Sequence, residues 1–142
     1  MLFRSYIAWA ENNRSPLIRI PSARGMASRV ELRSPDPSAN PYLTIALCLA
    51  AGLDGIKNKI SPPKLAKGNI FTMTEQERKK EGIETMPLSL KEALTEMEKD
   101  PLVRDVLGNH IFKKYQQAKE KEWEEYINFV TNWEIEQYLY KI

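Results

Sequence analysis

Asn40 and Pro41 divide the chain into two kinds of text. Asp36-Pro37-Ser38-Ala39 is a turn, Asn40 is a good helix N-cap, and Pro41 suits the first helical position. From there on the apolar residues recur at helical spacing. Before it the chain contains only short extended runs between turn formers, so a helical fold cannot extend back past this point. The 142 residues suffice for one domain with a modest core.

Three extended runs precede the break: Ser5 to Trp9, Leu17 to Ile20, and Arg29 to Arg33. Asn12, Asn13, Ser15 and Pro16 make one turn between them, and Pro21, Ser22 and Gly25 another. In Arg29-Val30-Glu31-Leu32-Arg33 the alternation has period two. Val30 and Leu32 are expected on a core face, with an acid flanked by two bases on the other.

After the break, Tyr42, Ile45, Leu49, Leu53 and Ile56 form the stripe of a first helix, with Cys48 expected as a core thiol. Gly52 and Gly55 there permit close packing or mark a frayed end. Asp54 between them has a packing or local hydrogen-bonding role. Pro62 and Pro63 open a loop that runs through Asn69-Ile70-Phe71 to Met73. Thr74 with Glu77, Ser89 with Glu92, and Thr131 with Glu134 have the spacing of capping boxes. Asp100-Pro101 starts a further helix, which Gly108 ends. Beyond it, Ile111, Phe112, Tyr115, Trp123, Tyr126, Ile127 and Val130 stripe a long amphipathic helix. The fold class expected is therefore α+β: a few short antiparallel strands in residues 1–39, then a helical region in 40–142.

Several function classes fall away. A formal net charge of +2 is too small to argue for nucleic acid or an anionic membrane. One cysteine excludes an intrachain disulfide framework and fits a reducing compartment. The longest apolar run, Ile45 to Ala51, falls far short of the about 20 residues a bilayer needs. No secretory signal is visible, so the expected location is cytoplasmic. His110, the only histidine, has no Cys or His companion and reads as a partly exposed structural residue.

Arg14, Arg19, Arg24, Arg29 and Arg33 stand within 20 residues that contain no lysine. A guanidinium offers a planar fork to carboxylate or phosphate, where an ammonium offers a point charge. The cluster reads either as solvated surface or as a site for an anionic ligand. Glu31 is either a salt-bridge partner of these arginines or a ligand for a hard cation such as Mg²⁺ or Mn²⁺. Pattern does not decide between them.

The blocks Asn13-Arg14-Ser15-Pro16-Leu17-Ile18-Arg19-Ile20-Pro21, Arg29-Val30-Glu31-Leu32-Arg33, Asn40-Pro41-Tyr42-Leu43, Ala51-Gly52-Leu53-Asp54-Gly55 and Pro87-Leu88-Ser89-Leu90-Lys91-Glu92 follow one another in the order seen in type I glutamine synthetases. The chain resembles the C-terminal portion of that family's catalytic domain, in its Gram-positive-like form, from about Tyr6 on. The resemblance implies ATP-dependent formation of glutamine from glutamate and ammonia through γ-glutamyl phosphate, with two divalent cations, Mg²⁺ or Mn²⁺. It implies that Arg14 is catalytic and contacts both glutamate and the phosphoryl region of ATP. Arg19 and Arg29 would bind ATP, Arg33 glutamate, and Glu31 a metal. It also implies a homo-oligomer, a dodecamer in the full-length family. A ligase acting on another amine, and a non-catalytic oligomerisation or interaction module, are the alternatives.

Two departures carry expectations of their own. Where adenylylated relatives carry a tyrosine, this chain has Phe71, so no adenylylation is expected there. The family's other metal-binding glutamates, its histidine ligand and its ammonia-site aspartate lie upstream of the matched blocks, so this polypeptide alone is expected to lack synthetase activity.

Overall fold

A computed structural model describes residues 6–11 and 13–139. Ser5, at the start of the first expected strand, and Asn12, in the first expected turn, lie outside the described residues. The chain divides into two compact units, one ending at Met86 and the other starting at Pro87.

The first unit holds a four-stranded sheet of β1 (Tyr6–Ala10), β2 (Pro16–Arg19), β3 (Glu31–Leu32) and β4 (Glu84–Thr85), in the order β3-β2-β1-β4. The class is α+β as expected, but the sheet is mixed rather than antiparallel. β1 and β2 run parallel, with Trp9 opposite Ile18 and Ala10 opposite Arg19. A parallel pair normally needs a crossover of a dozen or more residues. Here the link is residues 11–15, too short for a helix. The turn formers in it do not close a hairpin, because Asn13 and Ser15 are tied to residues 68 and 70 instead. β2 and β3 are antiparallel, and so are β1 and β4.

The core of this unit is Tyr6, Ile70 and Ile83, with Ala8, Ala66 and Met73 packed against it. The loop after the first helix runs along β1. Ala66 donates its N–H to the Trp9 carbonyl at 3.0 Å, and Trp9 Nε1 donates to the Pro63 carbonyl at 2.7 Å. Tyr6 meets Phe71, tilted at 60° with 5.8 Å between ring centroids, and the Arg78 guanidinium stands over its ring at 5.1 Å. α2 (Glu75–Lys80) begins with the expected capping box of Thr74 and Glu77.

Two expected core faces are not covered. Val30 and Leu32 are exposed, since β3 is a two-residue edge strand and among the described residues no layer lies over it. α1 (Pro41–Lys57) is capped as expected, Asn40 Oδ1 accepting from the N–H groups of Tyr42 and Leu43. Yet Tyr42, Ile45, Leu49, Leu53 and Ile56 are between 46% and 84% exposed. Cys48 is exposed with them and is not a core thiol. A stripe of this kind is buried only if another surface meets it, and among the described residues none does. Among the described residues nothing lies within 4 Å of where a Cβ would stand at Gly52 or Gly55, so neither packs closely there. Asp54 bonds locally, accepting from Asn58 Nδ2 at 2.7 Å.

The second unit is helical. α3 (Leu90–Lys99) starts at Ser89, whose Oγ accepts from the Glu92 N–H. The Glu92 carboxylate closes back on the Leu88 N–H rather than that of Ser89, so the box is displaced by one residue. α4 (Pro101–Ile127) is capped by Asp100 and breaks at Gly108, which takes φ 68° and ψ 159°. That left-handed φ is open to glycine without a Cβ penalty. Leu94, Leu107 and Phe112 form the buried centre. Of the expected stripe after Gly108, Phe112 is buried and Trp123 half-buried; Ile111, Tyr126, Ile127 and Val130 are exposed. α5 (Asn132–Glu134), opened by the Thr131–Glu134 capping box, runs into a π-helical turn, Ile135–Leu139. Among the described residues no helix is long and apolar enough to cross a membrane.

Candidate functional site

Antiparallel register sets Arg19 opposite Glu31. Arg19 Nη1 donates to Glu31 Oε2 at 3.0 Å. Arg29, two residues before Glu31, donates from Nε at 3.0 Å to Oε1 and forms an ion pair with it, Nη2 standing 2.8 Å away. Both carboxylate oxygens are thus held by guanidinium groups. Partial desolvation pushes the Glu31 carboxyl up, but the hydrogen bonds and charges of Arg19 and Arg29 outweigh it and hold it below the usual carboxylate value. Arg19 Nε is buried with no hydrogen-bond partner among the described residues.

Arg33 follows β3, where its backbone N–H donates to the Leu17 carbonyl at 2.9 Å. Its side chain is exposed and has no partner among the described residues. Arg14 lies in the β1–β2 link. It too is exposed and unpartnered among the described residues. A bend at residues 14–15 and the length of β2 separate it from Arg19. The structure therefore brings Arg19, Arg29 and Glu31 into direct contact and gathers neither Arg14 nor Arg33 onto that carboxylate. Arg24 turns back on its own loop, donating from Nη1 to the Pro21 carbonyl at 2.7 Å.

Arg14 instead lines a groove of about 690 Å³ with Glu11, Asn13, Lys67, Asn69 and Phe71. Its neighbours in sequence fix it there. Asn13 Oδ1 accepts from the Ser15 N–H at 2.9 Å, a local turn closed by the side chain. Asn13 Nδ2 donates to the Gly68 carbonyl, and Ser15 Oγ accepts from the Ile70 N–H at 3.1 Å. Lys67, Gly68 and Asn69 were not singled out from sequence; a lysine and a glycine after a double proline are ordinary loop text.

Among the described residues no three His, Cys, Asp or Glu side chains come together around a metal position. Glu31 is a single carboxylate already shared by two guanidiniums. By itself this set does not make a divalent-cation site. What the arrangement offers is a row of forks for anions, two of them uncommitted.

An α+β element that lines arginines along a short strand pair is the sort that grips carboxylate or phosphate. Comparison with known proteins says whose element it is. The sequence model of the family described as "Glutamine synthetase, catalytic domain" matches residues 4–138, and the chain belongs to that family. It is 56% identical over 135 residues to a glutamine synthetase of Thermotoga maritima, covering 95% of this chain and 31% of the relative. It is 52% identical over 136 residues to one of Clostridium saccharobutylicum (96% and 31%), and 52% over 134 residues to one of Methanosarcina mazei (94% and 30%). A solved structure described as "Apo GmaS without ligand" superposes with a TM-score of 0.77 at 33% identity, over 94% of this chain and 30% of that one. The chain thus spans about three-tenths of the length of the curated relatives it matches.

Proposed function

We propose that this chain supplies the arginine side of the active site of a glutamate–ammonia ligase, which uses ATP to make glutamine through γ-glutamyl phosphate. The observation that carries this is the 56% identity to a glutamine synthetase. Residues 1–39 would be the strand segment of the active site and residues 40–142 the helical region. Together they would form the C-terminal part of the catalytic domain. The complete protein would be a homo-oligomer working in the cytoplasm.

Each guanidinium then has a task that suits its surroundings. Arg14, uncommitted at the groove, would contact the transferring phosphoryl group and the substrate glutamate. Positive charge held there lowers the cost of the charge that spreads over the phosphoryl oxygens. Arg33, equally uncommitted, would clamp the glutamate carboxylate with its fork. Arg19 and Arg29 would bind ATP phosphates, giving up contacts to Glu31 as they do. Glu31 would be one ligand for Mg²⁺ or Mn²⁺. A hard cation takes about six oxygens, so its other ligands have to come from beyond the described residues. Such a cation would neutralise phosphate charge.

The test is a graft. Residues 4–138 replace the matching segment of the Thermotoga maritima relative, and ATP-dependent glutamine formation is measured. The graft is expected to be active. Arg33→Ala is expected to raise the KM for glutamate about tenfold or more while leaving the KM for ATP near its starting value, since one good ionic fork contributes about 1.5–3 kcal/mol. An active graft indifferent to both Arg14→Ala and Arg33→Ala would overturn the reading.

A further inference from the structure

Arg14 stands between two residues whose side chains do unusual amounts of backbone bonding. Ser15 is only 4% exposed, the one buried polar side chain among the described residues. Its Oγ takes the N–H of Ile70, which is fully buried. Asn13 bonds in both directions, accepting from the Ser15 N–H and donating to the Gly68 carbonyl. The two residues before and after Arg14 thus clamp its loop onto residues 68–70, some 55 positions along the chain. Gly68 itself takes φ +78°, a backbone that side-chain-bearing residues rarely adopt. Asn13, Ser15 and Gly68 border the groove that Arg14 lines, but these hydrogen bonds are made to backbone groups of the loop. Each acts on where Arg14 stands.

We propose that Asn13 and Ser15 are positioning residues for Arg14, docking its loop on residues 68–70 so that the guanidinium is held at the groove before substrate arrives. The inference rests on the reading of Arg14 as a substrate-contacting residue. Its physical content is preorganisation: an arginine on an untethered five-residue link would lose rotational and backbone freedom on binding, and a tethered one has lost it already. The 68–70 segment becomes part of the same device, since it provides the two backbone groups that the clamp needs.

Two measurements test this. In the 142-residue chain, trypsin cleavage after Arg14 is followed against cleavage at Lys79 and Lys80. Asn13→Ala is expected to speed the cut after Arg14 about tenfold relative to the others. In the Thermotoga graft, Asn13→Ala is expected to lower kcat and raise the KM for glutamate about tenfold each, with the KM for ATP within about twofold and thermal melting unchanged. Ser15→Ala should change kcat and the two KM values in the same way but with lower melting, since it also orphans the buried Ile70 N–H, and Ser15→Thr, which keeps the hydroxyl, should restore much of both losses. Asn13 is half-buried, so its alanine variant keeps the test alive if Ser15→Ala fails to fold. In the Asn13→Ala graft a merely structural role would move melting and both KM values together, and that result overturns the proposal. So does a damaged Arg14→Ala graft beside an unchanged Asn13→Ala graft, which leaves the reading of Arg14 standing. An unchanged Arg14→Ala graft overturns that reading and this inference with it.

Discussion

Arg19 Nη1 lies 3.0 Å from Glu31 Oε2, across a strand pair in which the two residues stand directly opposite each other. β3 is only two residues long, so cross-strand side chains carry much of its register. With Arg29, two residues before it, on the other oxygen, Glu31 is already occupied on both of its carboxylate oxygens.

The first prediction concerns acid. The arginines hold the Glu31 carboxyl below 4.5, the ordinary value. A group depressed in the folded state adds stability that is present above its unfolded value and lost as pH falls through its folded one. Glu31→Gln should therefore be less stable than the parent chain at neutral pH. The gap should hold constant down to about pH 5 and close below that. Urea midpoints across a pH series check it; a gap that widens on acidification would show that the carboxylate is not stabilised by its arginines.

A second prediction concerns the buried hydroxyl. Ser15→Ala removes the acceptor for the Ile70 N–H and leaves that donor orphaned in the core. An unsatisfied buried donor costs about 1–3 kcal/mol. The first unit should lose stability by that amount in denaturant unfolding, whereas a change under about 0.5 kcal/mol is ordinary for surface positions and would mean that water replaces the hydroxyl.

These two contacts also show what sequence can and cannot reveal. The caps at Asn40, Thr74, Asp100 and Thr131, and the break at Gly108, were legible because each is decided by residues within one helical turn. The Arg19–Glu31 pair was legible as one of two readings, from charge alternation alone. The parallel direction of β2 was not, nor was β4, because both depend on what residues 63–85 do with β1. The Asn13 and Ser15 ties were equally hidden, their partners lying 55 residues away behind a proline-rich loop. The α1 stripe is legible as a helix, but the core position expected for Cys48 is not found, since periodicity reports an apolar face and not what covers it.

The lone carboxylate gives a third prediction. The 142-residue chain by itself should form no glutamine from glutamate, ammonia and ATP with Mg²⁺ or Mn²⁺, because Glu31 alone cannot hold two divalent cations with useful affinity and no cluster of three possible ligands stands among the described residues. In the Thermotoga graft, Glu31→Ala should raise the cation concentration needed for half-maximal rate about tenfold or more, as loss of a charged ligand or its support commonly does. An unchanged metal dependence would sink the assignment of Glu31 as a ligand.

Phe71 yields a fourth. Its ring packs against Tyr6 and is 47% exposed, and it carries no hydroxyl. With labelled ATP and an adenylyltransferase active on tyrosine-bearing relatives, the loop should take up no label. Phe71→Tyr supplies the acceptor on the same exposed ring. A labelled adduct mapped to this loop in the parent chain would contradict the expectation.

The last prediction bears on α1. Cys48 and the residues Tyr42, Ile45, Leu49, Leu53 and Ile56 are all exposed in this chain. A disulfide reagent should therefore label one thiol per chain without denaturant, at the rate seen when denaturant is added. Ile45→Glu and Leu49→Glu should each change the stability of the 142-residue chain by less than about 0.5 kcal/mol, the range for surface substitutions. Placing a carboxylate in a covered apolar face would cost several times that, because the charge would lose its water without gaining a partner. A slow thiol together with a large loss in either variant would mean that the stripe is covered in solution, and that the chain meets another apolar surface along the whole of α1.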